Sequence, residues 1–280
     1  MAGTLSVVST PIGHLDDITL RALNVLRTVD LIAAEDTRHT AKLLTHFGIS
    51  TRTTSFHEHN ARRKVPELIR ELQAGKNVAL VSDAGTPVLS DPGLELVSQC
   101  VTEGIDVDPV PGASAALALG VVSGFPVTPW TIYGFAPHRS SDRKKWLSVL
   151  CAIEHSVTFL ESPHRIAQCL QDIADISGDR PITVGRELTK VHQSLYRGTA
   201  RDLISSQIPP KGEFTIMLGP VIRPNMDTER PTAGSLAEEF GELAKSMGPG
   251  RRREVIKDMA TRYGLTAREV YAAVEQMKRR

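Results

Sequence analysis

The sequence lacks any long apolar run. No stretch of its 280 residues approaches the roughly 20 apolar residues that a helix needs to cross a bilayer. Residues 1–13 also lack the basic start and the long apolar segment of a signal peptide. Hydrophobic residues make up 41% of the chain, as in ordinary globular proteins. These features predict a soluble, cytoplasmic protein without a membrane segment, with one large domain or two smaller ones.

Cysteine is scarce, and the few potential metal ligands are poorly spaced. Cys100, Cys151 and Cys169 are far apart on apolar helical patterns, which predicts reduced core residues rather than a disulfide framework or a zinc knuckle. His57 and His59 are two residues apart, a spacing that shares one face only in a strand, and no third ligand at helical spacing accompanies them. We therefore predict no metal site.

Two nucleotide-binding motifs are also missing. The chain contains neither GxGxxG nor GxxxxGK[ST], which argues against a classical dinucleotide fold and against a P-loop. No Ser, His and Asp stand in the context of a nucleophile elbow. Any active site must therefore be built from other loops.

The most informative stretch runs from Val78 to Gly93. Val78 to Val81 is a short apolar run, typical of a parallel strand buried on both faces, and small turn-forming residues follow it. Asp91 and Pro92 then predict a capped helix start. In open α/β sheets, ligands bind beyond the carboxyl ends of strands, and Gly85 lets a backbone approach a ligand closely.

Similar loops follow three other predicted strands. The strands are residues 5–8, 31–34 and 105–110, and the loops after them are residues 9–13, 35–39 and 111–115. One such loop is weak evidence, because each could be a plain turn or a helix cap. Repetition along one edge of a sheet favours a binding site there.

The second half of the chain predicts a different kind of sheet. Gly124, Phe125 and Pro126 mark a hinge, after which short strands follow one another closely and favour antiparallel pairing. We predict an α/β domain over residues 1–124, a second α/β domain over 125–220 that completes a cleft, a linker over 221–234 and a basic helical tail over 235–280.

Charge is unevenly distributed. The formal net charge is +1, yet residues 245–280 hold ten basic residues against four acidic ones. A basic tail on an acidic body suggests an anionic macromolecule as partner, with RNA as the first candidate, although a solvated helical face would look the same.

Six motifs, taken together, carry a resemblance to a known family. They occur in chain order as Ser9-Thr10-Pro11-Ile12-Gly13, Ala34-Glu35-Asp36-Thr37-Arg38, residues 81–87, residues 111–115, Arg186-Glu187-Leu188-Thr189-Lys190 and Lys211-Gly212-Glu213. The set resembles the bacterial 16S ribosomal RNA cytidine-2′-O-methyltransferases, a branch of the tetrapyrrole-methylase superfamily. The family usually has Asn where this chain has His14 and Pro where it has Ala113, and both changes are compatible with the loop shapes.

The resemblance implies a fold, a cofactor and a substrate. The expected fold is two α/β domains of the tetrapyrrole-methylase type with a cleft between them, plus a small C-terminal helical appendage. The expected reaction is S-adenosylmethionine-dependent methylation of a cytidine ribose 2′-oxygen in the decoding region of 16S ribosomal RNA, within the small ribosomal subunit, by a homodimer. Cofactor contacts are implied for Pro11, Ile12, Asp83, Gly85, Thr86, Val88, Leu89, Ser114, Ala115, Leu160, Leu188, Gly212, Glu213 and Phe214.

The catalytic residues remain a set of candidates. A ribose hydroxyl is a poor nucleophile, so a base or a charge-stabilising group is useful as its proton leaves. The candidates are Asp36, Arg38, Glu161, Glu187 and Lys190, each of which could instead be a structural ion pair. Two alternatives stay open: methylation of a tetrapyrrole-like small molecule on the same scaffold, and a non-catalytic RNA-binding module.

Overall fold

The computed structural model describes residues 2–89, 91–221, 232–247, 252–263 and 265–278. The chain divides into two compact units, Met1–Val221 and Ile222–Arg280, which we call the main unit and the terminal unit. Most of the predicted linker lies outside the described residues. Within the described ranges, no helix is long and apolar enough to cross a membrane.

The first lobe of the main unit, residues 2–124, is built on a five-stranded parallel sheet with strand order β3-β2-β4-β1-β5. Its strands are β1 (Leu5–Val8), β2 (Leu31–Ala34), β3 (Thr53–Ser55), β4 (Val78–Val81) and β5 (Val107–Val110). A short 3₁₀ turn spans Leu15–Asp17, and the helices are α1 (Leu20–Thr28), α2 (Thr37–His46), α3 (Glu58–Gln73), α4 (Leu94–Thr102) and α5 (Ala115–Val122).

Burial on both faces explains the apolar strands of this sheet. All four residues of β4 are buried, and two hydrophobic clusters, one on each face, pack the strands against the surrounding helices. The predicted strands β1, β2 and β4 are confirmed, whereas β5 begins at Val107 instead of residue 105. The sequence analysis missed β3, because its Thr-Thr-Ser segment is half-buried and carries no apolar pattern.

Several predicted helix caps are wrong. Helix α4 is preceded by Gly93 at φ 138°, not by Asp91, because the loop continues two residues further than the cap pattern indicates. The sequence predicts Asn60 as the cap of α3, but that helix begins at Glu58, and in its first turn the Asn60 side chain accepts a hydrogen bond from the backbone N–H of His57. The sequence also predicts Asp16 or Asp17 as the cap of α1, but Thr19 caps it.

The second lobe, residues 125–221, is built on a mixed sheet with strand order β6-β7-β10-β8-β9. Its strands are β6 (Trp130–Phe135), β7 (Ser156–Glu161), β8 (Pro181–Arg186), β9 (Ser194–Thr199) and β10 (Phe214–Leu218), and its helices are α6 (Ser140–Ala152), α7 (Ile166–Ser177) and α8 (Ala200–Ser205). The expected antiparallel pairs are confirmed: β10 pairs with β7 and β8, and β8 pairs with β9. The boundary at residues 124 and 125 stays a prediction.

The terminal unit contains α9 (Ala233–Met247), α10 (Arg252–Tyr263) and α11 (Ala267–Lys278). Its core includes Leu236, Phe240, Met259 and Val270. Helical spacing predicts three helices over residues 235–247, 251–263 and 266–277, and all three are confirmed to within two residues at each end. Thr266 is also predicted to be an N-cap, and this is confirmed, because its hydroxyl accepts the backbone N–H of Glu269. The predicted cap at Gly264 lies outside the described residues.

The cysteines are free, with Cys100 and Cys169 buried and Cys151 half-buried. Burial raises the pKa of all three thiols. The interpretation as reduced core residues is therefore confirmed for Cys100 and Cys169.

Candidate active site

The loops after β1 and β4 are joined at the edge of the first sheet. Thr10 and Gly85 form an antiparallel bridge, in which the N–H of each donates to the carbonyl of the other at 2.9 and 3.1 Å. The hydroxyls of Ser9 and Thr86 lie 3.0 Å apart, and the Thr86 hydroxyl donates to the Ala113 carbonyl at 3.2 Å. Three loops from three parallel strands thus form one connected surface, as the repeated small residues predict.

Backbone conformation at this surface requires glycine. Gly85 has φ 83°, and a Cβ there would lie 3.3 Å from Ile12. Val88, three residues later, has φ 75°, which is an outlier for a β-branched residue. Such strain concentrates at binding and catalytic sites, and it identifies the loop after β4 as a candidate for one.

Carboxylates line the same edge between β2 and β4. The Asp83 N–H donates to the Glu35 carboxylate at 3.2 Å, and the Asp36 N–H donates to the Asp83 carboxylate at 3.0 Å. Burial raises the pKa of Glu35, and it raises the pKa of Asp91 to about 7 with help from the charges of Glu35 and Asp83. Hydrogen bonds from Arg38 hold the pKa of Asp36 below its usual range.

The second lobe contributes the loop after β8. Its Glu187 and Thr189 have φ 52° and 64°, both in the left-handed region. The Glu187 carboxylate accepts from the Lys190 ammonium at 3.0 Å and from the Glu213 N–H at 2.8 Å. Burial would raise the pKa of Glu187, but these hydrogen bonds outweigh it and lower that pKa. A Cβ on Gly212 would lie 2.5 Å from Glu187, so this packing requires glycine.

The two lobes touch where Gly13 meets the loop after β8. A Cβ on Gly13 would lie 2.5 Å from Cγ of Lys190 and 2.9 Å from the Leu188 carbonyl. The His14 N–H donates to the Thr189 hydroxyl at 3.0 Å. Beside this contact a shared hydrophobic cluster contains Ile12, Leu119, Leu188 and Met217. The lobes are therefore packed against each other directly at the candidate site.

A cavity of about 420 Å³ opens at this contact. Its lining combines the loops after β1 and β4, one face of α2 and the second lobe's Lys190 and Glu213. A second cavity of about 550 Å³ shares Gly13, Leu15 and Lys190 with the first and adds His14 and His46. The two cavities form a continuous concave surface that spans both lobes.

The structure brings together part of the predicted set. Pro11, Ile12, Asp83, Lys190 and Glu213 line the first cavity. Gly85, Thr86, Ser114, Ala115, Asp36, Arg38, Glu187, Leu188 and Gly212 lie on the elements and loops that form the same edge.

Other predicted residues lie elsewhere. Phe214 is buried in the core of the second lobe, Val88 packs on the core of the first lobe, and Leu89 is exposed. Leu160 pairs with Thr215 inside the mixed sheet. The Glu161 carboxylate is buried and accepts from Arg165 at 2.6 Å, which indicates a structural ion pair. The roles predicted for these residues stay predictions.

Several lining residues were not among the predicted contacts. Thr10, Gly13, Ser82, His39 and Lys42 all line the first cavity. Three of them belong to the quoted motifs, so their position in the motifs was an available signal. His39 and Lys42 lie three residues apart in the helix that begins after Asp36, and this helical spacing places them on one face.

No group of three or more His, Cys, Asp or Glu side chains in the described part of the chain is arranged to hold a metal ion. His57 and His59 lie with their ring centroids 6.0 Å apart on the first turn of α3 and at its cap.

The model of the tetrapyrrole (corrin/porphyrin) methylase family matches residues 4–204 of this chain. A Synechocystis protein named ribosomal RNA small subunit methyltransferase I is 42% identical over 276 residues, which cover 96% of each chain. The Bacillus subtilis protein of the same name is 41% identical over 274 residues, covering 97% of this chain and 94% of its own.

Solved structures share the fold at low sequence identity. A diphthine synthase superposes with a TM-score of 0.63 at 15% identity, covering 78% of this chain and 90% of its own. A uroporphyrin-III C-methyltransferase from Thermus thermophilus, complexed with S-adenosyl homocysteine, superposes with a TM-score of 0.56 at 16% identity. The match covers 78% of this chain and 98% of its own. These likenesses confirm the predicted fold class.

Proposed function

The chain belongs to the tetrapyrrole methylase family, and from this premise we propose that it transfers the methyl group of S-adenosylmethionine to the RNA of the small ribosomal subunit. The more specific acceptor that we propose is the ribose 2′-oxygen of a cytidine in the decoding region of 16S ribosomal RNA. The names of relatives that match 77–98% of the chain at 37–47% identity support this assignment. The observation that carries it is the cavity at the contact between the two lobes.

The loops around this cavity fit S-adenosylmethionine. Gly13 and Ala84, which have the smallest side chains, line the cavity, so the main chain can approach a ligand there. The Asp83 carboxylate lines the cavity and would favour a cationic ligand such as a sulfonium. We place the cofactor against the loops after β1 and β4, with Leu188, Gly212 and Glu213 closing the site from the second lobe.

The rim of the cavity fits RNA. His39 and Lys42 on α2 line the first cavity, and His46, one turn further, lines the second. Among the described residues, Lys42 has no ion-pair partner at all. Since phosphate contacts dominate the affinity of proteins for nucleic acids, this face of α2 would hold the RNA backbone beside the cofactor.

When bound, S-adenosylmethionine would supply an electrophilic methyl group for the ribose 2′-oxygen, with S-adenosylhomocysteine as the leaving group and the hydroxyl proton released to a base. The residues of this chain hold the reactants in line, and such orientation can supply roughly 7–11 kcal/mol. Glu187 fixes the Lys190 ammonium at the cavity through a 3.0 Å hydrogen bond, so Lys190 can stabilise the developing negative charge on the 2′-oxygen. Asp36 is the candidate acceptor of the proton, and its hydrogen bonds from Arg38, which lower the pKa of its carboxyl, would make it a weak base.

A homodimer is the proposed working form. Leu117 and Val121 on α5 are 52% and 79% exposed, and Ile132 and Phe135 on the edge strand β6 are 44% and 56% exposed. Exposed apolar side chains gathered on neighbouring elements are typical of an interface. Sedimentation equilibrium of the protein should give twice the mass of one chain, and a monomer at micromolar concentration would contradict the proposal.

Methyl transfer provides the direct test. We would incubate the protein with labelled S-adenosylmethionine and small ribosomal subunits from cells that lack this gene, and identify the product nucleoside by mass spectrometry. Label in 2′-O-methylcytidine is the expected result. No label in RNA, despite measurable cofactor binding, would contradict the proposal and favour a small-molecule acceptor.

A matched pair of variants tests the RNA rim. Lys42→Gln should raise the KM for the ribosomal subunit several-fold and leave the affinity for the cofactor unchanged, because Lys42 carries a charge toward the phosphates. Arg62→Gln, an exposed position on α3 outside both cavities, is the control and should behave as wild type. Equal KM values for the two variants would exclude α2 as the rim that holds RNA.

A further inference from the structure

The terminal unit has a groove of its own, which the cavity of the main unit does not explain. The groove encloses about 560 Å³ between α10 and α11 and reaches Phe240 of α9. Its polar lining consists of Arg252, Arg253, Lys257, Arg268, Tyr271 and Glu275. It is therefore a strongly basic site in a part of the chain outside the family match at residues 4–204.

Charge is segregated around this groove. Every basic side chain whose surroundings the structure describes in the terminal unit lines it. The acidic side chains of that described part, from Glu238 to Glu269, lie outside the lining, and Glu275 alone among the described acids contributes to it. A solvated helical face would mix the two signs, so this arrangement favours an anionic ligand.

An aromatic ring stands among these cations. Tyr271 is 56% exposed on α11, three residues after Arg268 and four residues before Glu275, so these side chains share one face of the helix. Apolar side chains such as Ile256 and Val274 form the rest of the lining. An exposed ring beside arginines and above an apolar floor is suited to stack a planar base, which is how proteins hold single-stranded nucleic acids.

We propose that this groove binds an unpaired RNA nucleotide, with its base stacked on Tyr271 and its flanking phosphates held by Arg253, Lys257 and Arg268. The nucleotide is unpaired because the faces of paired bases are covered by their neighbours in a helix. The inference rests on the proposed function for the choice of RNA, and it adds a second RNA-binding site to the one at the cavity.

The first experiment removes the ring. The binding of a labelled single-stranded RNA of about eight nucleotides to the full-length protein would be measured for wild type, Tyr271→Ala and Tyr271→Phe. Tyr271→Ala should weaken binding about 5- to 100-fold, the range expected when a base loses its aromatic partner. Tyr271→Phe keeps the ring and should bind as wild type does. Because Tyr271 is exposed, the thermal unfolding midpoint should be the same for all three proteins.

The second experiment removes charge. The double variant Arg253→Gln with Arg268→Gln should lower the dependence of binding on salt by roughly one unit of slope, since each phosphate contact on a single strand contributes about 0.7. Arg62→Gln on α3 is again the control and should leave the slope unchanged. An RNA duplex should compete more weakly than the single strand for wild type.

Two results would overturn the inference: wild-type affinity for the RNA strand in Tyr271→Ala, or an unchanged salt slope in the double variant. If Tyr271→Ala kept that affinity but lost binding to the small subunit, the groove would hold a protein ligand instead. Failure of the proposed function looks different, because wild type would then lack methyl transfer while Tyr271→Ala still showed reduced RNA affinity.

Discussion

Acidic residues near the carboxyl ends of strands lie in different environments in the two lobes of the main unit. In the first lobe, the carboxylates of Glu35 and Asp83 accept main-chain hydrogen bonds at the sheet edge, and Asp83 lines the cavity. In the second lobe, Glu161 at the end of β7 is fully buried and pairs with Arg165. Asp172, within α7, is also fully buried and pairs with Arg143. A charged motif after a strand therefore indicates a site only when the loop stays at the surface of a cavity.

The reason for the difference lies in what covers each strand end. Helix α7 begins at Ile166, directly beside the end of β7, and its residues pack on the lobe's main hydrophobic cluster. Glu161 is thereby enclosed, and Arg165 links it to the carbonyl of Ala136 and to His138. Through Arg165, Glu161 positions the loop between β6 and α6, and its predicted catalytic role stays a prediction.

Removing a buried charge of the second lobe should have the largest effect. In Asp172→Ala, the buried guanidinium of Arg143 loses its partner at 3.1 Å, so the free energy of unfolding should fall by about 3–5 kcal/mol. Urea denaturation measures this. Lys144→Ala, whose half-exposed ammonium lies 3.6 Å from the same carboxylate, should cost less than about 1 kcal/mol. Equal losses of unfolding free energy in the two variants would show that the buried ion pair stabilises the protein no more than the exposed one.

Crowding the contact between the lobes should have an intermediate effect. Gly13→Ala places a methyl group 2.5 Å from Lys190 and 2.9 Å from a carbonyl, so the loops must separate at a cost of roughly 1–3 kcal/mol. Cofactor affinity, measured by calorimetry, should fall as well, because the same loops line the cavity. Gly48→Ala, at a glycine with φ 63° and open space around it, loses stability through backbone strain alone, so it controls for a general loss of stability. Intact cofactor affinity in Gly13→Ala would show that the contact between the lobes does not shape the cofactor site.

The stability of the first lobe should also depend on pH. Burial raises the pKa of Asp91 to about 7, whereas an unfolded chain has an aspartate pKa of about 3.9. The folded state thus binds an extra proton between about pH 4 and 7, and the stability contributed by this group falls as the pH rises through that window.

Asp91→Asn should remove this dependence. The stability of the variant relative to wild type, from thermal unfolding, should increase between pH 5 and 7 and level off above pH 7. Asp17→Asn, at an exposed aspartate, should give a constant difference across the same range. A flat difference for Asp91→Asn would mean that its carboxylate is ionised throughout.

Local signals were sufficient for much of the fold. Continuous apolar runs identified β2 and β4, and helical spacing identified the three helices of the terminal unit, because both patterns depend on near neighbours in the chain. The pattern failed at Thr53–Ser55, where pairing with β2 rather than hydrophobicity makes the strand. It also failed at Asp91, because the loop after β4 follows packing around Val88 and Gly93.

The difference between local signals and features set by packing is clearer at the candidate site. The small-residue loops could be read from the chain, since glycine and proline restrict the backbone locally. The contact of Gly13 with Lys190, 177 positions later, could not, because it depends on how two lobes pack around Ile12 and Leu188. Likewise Glu161 and Glu187 look alike in sequence, and only their surroundings bury one and leave the other beside the cavity. Residue type limits what a side chain can do, and burial, which depends on the whole fold, decides what it does.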